Sequence, residues 1–155
     1  MTVVAMLVAI YLLYTFVVGP LLAHFVKVVH VVDSDTILVK DGNKIFQVQL
    51  IGVDAPEQYQ CFGPESAEMT STLLKNPEVR LVKDDQVGDR DPGGRYLRYA
   101  YLKNGDFLNE KIVQNGYAKQ YYDPKKKYQK QDQLFKAQND AKAKKIGFWS
   151  GKWCN

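Results

Sequence analysis

Apolar positions along the chain follow two regimes. Residues 3–22 form an almost unbroken apolar run with no charged side chain, whereas from Val26 onward short β-branched runs alternate with turn residues. The first run is 20 residues long, about the length a helix needs to cross a hydrocarbon core, and Gly19 and Pro20 near its end are tolerated there. The pattern predicts an apolar membrane anchor over residues 1–25, its membrane contact made through residues 3–22. A cleaved signal peptide is the competing reading. Ala23 is small enough to precede a cut, but the start lacks a positive n-region and the apolar core is long for a signal.

Residues 26–155 read as one domain. Val26–Val32 and Thr36–Lys40 are β-branched runs separated by Asp33-Ser34-Asp35, and Asp41-Gly42-Asn43 is a hairpin turn in which Gly and Asn accept positive φ cheaply. Ile45–Val53 supplies a third strand, Val79–Val82 a fourth and Tyr96–Leu102 a fifth. Pro64-Glu65 opens a helix that runs through Leu74, with proline and acid in its first turn. A second helix starts over Leu108–Val113 with Gly116 as its C-cap, and a last one covers Tyr128–Lys145. Five short strands with inserted and appended helices predict an α+β domain built on a small closed barrel.

Charge sharpens the division. All 21 basic and all 17 acidic side chains lie from Lys27 onward, which excludes a simple cytosolic globule and a chain made mainly of membrane spans. Within the domain, Lys27–Ala118 carries 11 basic and 14 acidic groups, whereas Lys119–Asn155 carries 10 and 3. The basic part includes Lys125-Lys126-Lys127 and Lys142–Lys145, with Tyr121, Tyr122 and Tyr128 interleaved. Lysine and tyrosine together suit a polyanion, charge for phosphate and rings for bases. For the lysine runs alone, a solvated helix face is the plainer reading. Cys61 and Cys154 are the two thiols, and with His24 in the leader and His30 in an apolar strand pattern they make no zinc site. A Cys61–Cys154 disulfide is expected if the domain is exported, and two free thiols otherwise.

Carboxylates gather where strands end: Asp33, Asp35, Asp54 and Glu57, and later Asp91 beside Gly93-Gly94-Arg95. Clustered oxygen donors suit a hard cation such as Ca²⁺. Arg95 follows a flexible turn able to present a guanidinium, which grips phosphate oxygens in a two-pronged way. Acids, hard metal and arginine together describe phosphodiester hydrolysis. Singly, each piece is also what an ordinary turn contains.

The order VVDSDTILV, QLIGVDAPE, DPGGRYLRYAYL, LNEKIVQNGYAK, over residues 26–150, resembles the staphylococcal nuclease (thermonuclease-like) family. The resemblance implies an OB-type five-stranded β-barrel with three helices and Ca²⁺-dependent endonuclease activity on DNA and RNA. It implies metal ligation by Asp35, Asp54 and the backbone carbonyl of Ala55, a general base at Glu57 and a catalytic arginine at Arg95. Tyr121 and Tyr122 resemble the family's nucleotide-stacking tyrosines, and Lys119 lies beside them as a nucleic-acid contact.

One departure matters. Where the family carries a second catalytic arginine, this chain has Gln49, which donates hydrogen bonds but brings no charge. Losing a charged contact to a transition-state phosphate costs about 10²–10³ in rate. Arg98 and Lys44 are the nearby cations that stand to compensate, and Pro92-Gly93 replaces the family's Lys-Tyr before the Gly-Arg. Three readings follow: an active nuclease, a catalytically weak nucleic-acid-binding module, or an anchored domain serving a protein partner. The first is expected, with DNA or RNA as partner, no protein partner indicated, and a membrane-anchored or secreted, extracytoplasmic location.

Overall fold

The β-branched runs after Val26 close on themselves. In the computed structural model, which describes residues 3–14 and 23–154, the strands are β1 (Val26–Val31), β2 (Thr36–Asp41), β3 (Lys44–Leu50), β4 (Val53–Asp54), β5 (Glu78–Val82), β6 (Tyr96–Leu102) and β7 (Lys119–Gln120). Five of them form a closed barrel in the order β1-β2-β3-β6-β5, and β4 pairs with β7 outside it. Gly42 takes φ +57° in the two-residue turn between β2 and β3, as the hairpin signature requires. Val28, Ile37, Val39, Val48, Leu50, Val79 and Ala100 are buried in the core, alternating along their strands as the two-residue period dictates.

Helix α1 (Val3–Leu13) precedes the barrel, α2 (Gly63–Leu73) is inserted between β4 and β5, and α3 (Leu108–Gln114), α4 (Gln131–Lys144) and a 3₁₀ turn (Gly147–Ser150) follow β6. Leu108, Ile112 and Val113 of α3 and Leu134, Ala137 and Ala141 of α4 are buried at the spacing of an apolar helix face. Asn109, fully buried, donates from Nδ2 to the Ile51 carbonyl at 2.9 Å and accepts the Ala100 N–H at Oδ1 at 2.9 Å, fastening α3 to two barrel segments.

Three expectations need correction or bounding. The third strand stops at Leu50, because Gly52 turns the chain at φ +77° and only Val53–Asp54 returns to extended form. A Cβ at Gly52 would come within 2.6 Å of the Leu134 and Tyr128 side chains, which would have to shift. The last helix begins at Gln131, since Tyr128 is buried in the preceding turn with its hydroxyl donating to the Tyr121 carbonyl at 2.8 Å. Of the expected span over residues 3–22, residues 15–22 lie outside the described residues, and among the described residues no helix is long and apolar enough to cross a membrane.

The cysteines are paired: Cys61–Cys154 joins the start of α2 to the C-terminal segment, with Cα atoms 5.8 Å apart. Beside it Phe62 packs against Trp153 and Phe148, at ring-centroid distances of 5.1 and 6.3 Å.

Candidate active site

The bend between β1 and β2 presents Asp35. Asp33 Oδ1 accepts the N–H groups of Asp35 and Thr36 at 3.0 and 2.7 Å, a local side-chain turn. Ser34 is buried behind it and bonds the hydroxyls of Ser66 and Thr70 on α2. Asp35 therefore projects from a bend fixed on both sides. Its Oδ2 accepts the Ala55 N–H at 2.8 Å, which ties the two aspartate-bearing segments together. Asp54 ends β4 opposite Lys119 of β7. Burial raises the Asp54 carboxyl above its usual range, the Asp35 charge adds to the rise, and Lys119 opposes it. Two carboxylates in mutual repulsion are what a divalent cation relieves.

Glu57 lies on an exposed turn that closes on itself. Its N–H donates to Gln60 Oε1, and its carbonyl accepts the Gln60 N–H at 2.9 Å. Cys61 and its disulfide follow directly.

Arg95 is held from two sides. The turn Asp91–Gly94 closes with the Gly94 N–H on the Asp91 carbonyl at 3.0 Å and Gly94 at φ +85°. Asp91 then accepts the Arg95 backbone N–H at 2.9 Å and its Nε at 2.6 Å, while Arg95 Nη1 donates to Thr36 Oγ1 at 3.0 Å. Burial works to raise the Asp91 carboxyl, but the bonds from Arg95 outweigh it and hold it below its usual range. Among the described residues the other guanidinium N–H groups have no acceptor, so one edge stays available to a phosphate.

Thr36, a residue the motifs do not single out, links these groups. It pairs with Gln49 across β2 and β3. Its single hydroxyl proton has two acceptors, Asp35 Oδ1 at 2.9 Å and Gln49 Oε1 at 3.0 Å. Its only sequence signal is its place beside Asp35, because Arg95 reaches it from 59 residues away.

A cleft of about 910 Å³ gathers Asp35, Gln49, Asp54, Ala55, Glu57 and Arg95 on one surface, and Tyr121 lines it as well. Lys119 and Tyr122 are exposed outside its lining. Lys119 extends instead over the Phe148 ring, 4.5 Å from its centroid. Arg98 and Lys44 do not line it either. Arg98 is consumed by Asp89, at 2.8 Å, and by the Leu97 carbonyl, while Lys44 is exposed at the start of β3, paired with Asp41. The basic groups that do line it are Arg90, Arg95 and Lys125–Lys127, the three lysines exposed on a loop rather than on a helix face. Among the described residues no three His, Cys, Asp or Glu side chains are grouped to hold a metal. A cation here would take the two aspartates as its side-chain ligands, with carbonyl or water oxygens completing a hard shell.

A closed five-stranded barrel with carboxylates and a clamped arginine converging in one cleft is the frame of a nuclease, a hydrolase of phosphodiester bonds. A family model described as "Staphylococcal nuclease homologue" matches residues 47–151, and the chain belongs to that family. Its relatives include a thermonuclease of Staphylococcus hyicus, 37% identical over 80% of this chain and 75% of that protein. An uncharacterized endonuclease of Escherichia coli O157:H7 is 34% identical over 80% of this chain and 76% of that protein. An uncharacterized protein of Methanocaldococcus jannaschii is 29% identical over 85% and 73%.

Proposed function

We propose that this protein is a Ca²⁺-dependent endonuclease cleaving DNA and RNA, tethered by its apolar N-terminal segment or released outside the reducing cytoplasm. The observation that carries the reading is the single cleft shared by Asp35, Asp54, Glu57 and Arg95. The apolar segment and the Cys61–Cys154 disulfide support the location, because disulfides persist in oxidising compartments. Residues 1–25 act as the tether or as an export signal, and 26–155 as the catalytic domain.

Asp35, Asp54 and the Ala55 carbonyl would hold the cation. A cation held there would supply Lewis-acid polarisation of the phosphoryl oxygen and make water more acidic. Glu57, on its exposed turn, accepts the proton of the attacking water at its carboxylate. Arg95, clamped by Asp91 and Thr36, meets the charge that develops on the phosphoryl oxygens without reorganising. Gln49 offers that phosphate a neutral hydrogen bond. The thermonuclease and endonuclease relatives favour this reading over a catalytically weak binding module.

The test uses the full chain in detergent with single-stranded DNA and RNA. Cleavage is expected with Ca²⁺, is lost in chelator, and falls about 10²–10⁴-fold in Glu57→Gln. Binding without cleavage at any protein concentration overturns the reading.

A further inference from the structure

Lys125, Lys126 and Lys127 line the cleft that holds Asp35, Gln49 and Arg95. Their loop is built rather than loose. It leaves β7 where the Tyr121 N–H bonds the Gly52 carbonyl at 3.0 Å, one residue before Val53. It turns on Asp123, whose Oδ1 accepts the Lys125 N–H at 2.9 Å and whose carbonyl accepts the Lys126 N–H at 3.1 Å. It ends at buried Tyr128, with the Gln129 N–H on Asp84 Oδ2 at 2.7 Å. Both ends are thus fixed against the segments that carry or flank the candidate site. Among the described residues none of the three ammonium groups forms an ion pair. Three unpaired cations on a fixed loop, in a cleft that also holds Arg95, describe a phosphate-binding wall.

We propose that Lys125, Lys126 and Lys127 bind the backbone phosphates of the nucleic acid in this cleft and supply the positive charge that position 49 lacks. The inference rests on the nuclease reading and adds to it a substrate-binding element. Lysine suits the task because phosphates on a flexible strand need charge more than fixed fork geometry.

The binding arm is independent of cleavage. A labelled oligothymidylate is titrated in chelator at several KCl concentrations with the full chain and with Lys125→Gln/Lys126→Gln/Lys127→Gln. Each phosphate contact on a single strand adds about 0.7 to the slope of log K against log salt, so the triple variant is expected to lose roughly 2 from that slope. A control removes equal charge from exposed lysines outside the cleft, Lys27→Gln/Lys40→Gln/Lys44→Gln. It is expected to change the slope far less, and an equal loss would reduce the effect to net charge and overturn the site. Circular dichroism checks that each variant is folded.

The cleavage arm tests the link to position 49. With Ca²⁺, the loop variant is expected to raise KM about tenfold, by loss of roughly 1.4 kcal/mol of binding. Gln49→Arg should raise kcat/KM by a larger factor in the loop variant than in the parent, because the two sources of charge then substitute for each other. The same factor in both backgrounds overturns that substitution. Absence of cleavage by the parent chain counts against the nuclease reading, and the chelator titration still decides the lysine site.

Discussion

Removing the Cys61–Cys154 disulfide is the perturbation whose consequences are best defined. The bridge spans 93 positions of sequence, and in the chain-entropy model a loop of that length stabilises the fold by roughly 4–5 kcal/mol. Small domains have about 5–15 kcal/mol in total, so Cys61→Ser/Cys154→Ser leaves the protein close to its unfolding threshold. The assay is urea unfolding followed by the fluorescence of Trp149 and Trp153. The midpoint is expected to drop steeply, and m to rise, because an uncrosslinked chain exposes more surface. Wild-type protein with reductant should superimpose on the variant. A loss below about 1 kcal/mol would refute the loop-entropy argument for this bridge.

The same bridge also acts on the site. Cys61 ends the turn that carries Glu57, and the following residue, Phe62, is buried at φ +69°, a left-handed conformation costly for a side chain with a Cβ. Phe62 keeps that conformation while Trp153 and Phe148 pack against it and the disulfide holds their segment in place. Under conditions where the double variant remains folded, kcat is expected to fall while KM changes little, since the loosened element carries the proposed base and not the phosphate contacts. An unchanged kcat with lowered stability would restrict the bridge to a structural role.

Burial, then the Asp35 charge, raises the Asp33 carboxyl from 3.8 to about 7. Between these values the unfolded chain has released a proton that the folded state retains, so stability in chelator is expected to fall as pH rises through the window and to level off above it. Asp33→Asn keeps an acceptor for the Asp35 and Thr36 N–H groups and should flatten the profile of urea midpoint against pH; an equally steep profile refutes the assignment. Gly63→Ala drives a Cβ into the Glu57 carbonyl oxygen, so the Glu57 turn must shift; kcat should fall together with a stability loss of about 1–3 kcal/mol, and intact kcat would show the turn to be tolerant. Asn109→Leu strands the Ile51 carbonyl and the Ala100 N–H, at about 1–3 kcal/mol for each buried group left unpaired; thermal unfolding reads the loss, and a neutral result would mean that other partners replace the amide.

Legibility in the sequence followed the range of the interactions. The β2–β3 hairpin was readable because Gly42 answers a local backbone demand, and the helix at Gly63 because Pro64 and Glu65 mark its first turn. Asp35, Asp54, Glu57 and Arg95 were readable as residues because each belongs to a short motif; that one cleft gathers them was carried by the family resemblance. The β4–β7 pair is two residues long on each side and has no periodicity to detect. Thr36 and Asn109 are ordinary polar residues locally, and their partners lie far along the chain. Arg98 is near the site in sequence, but nothing local shows where its guanidinium goes, and Asp89 claims it across a turn. The lysine loop is exposed, as its composition suggests, but that it borders the cleft follows from anchors at Gly52 and Asp84 that are remote in sequence.

These placements give the Gln49 substitution a physical logic. An arginine opposite Thr36 would set a second guanidinium near Asp35, whose Oδ1 shares the Thr36 hydroxyl with position 49. It would neutralise part of the charge that the proposed cation needs, while strengthening the hold on phosphate. Gln49 leaves the Asp35 and Asp54 charges to repel each other, eased by Lys119 alone among the groups acting on Asp54, and this repulsion favours a divalent cation more strongly. On the proposal above, the phosphate charge comes instead from Lys125–Lys127, which form no ion pair among the described residues. Metal affinity and phosphate affinity are then set by different elements. Gln49→Arg should accordingly weaken Ca²⁺ binding while it raises turnover at saturating Ca²⁺. A variant that gains rate and keeps the parent's Ca²⁺ affinity would show that position 49 does not act on the aspartates.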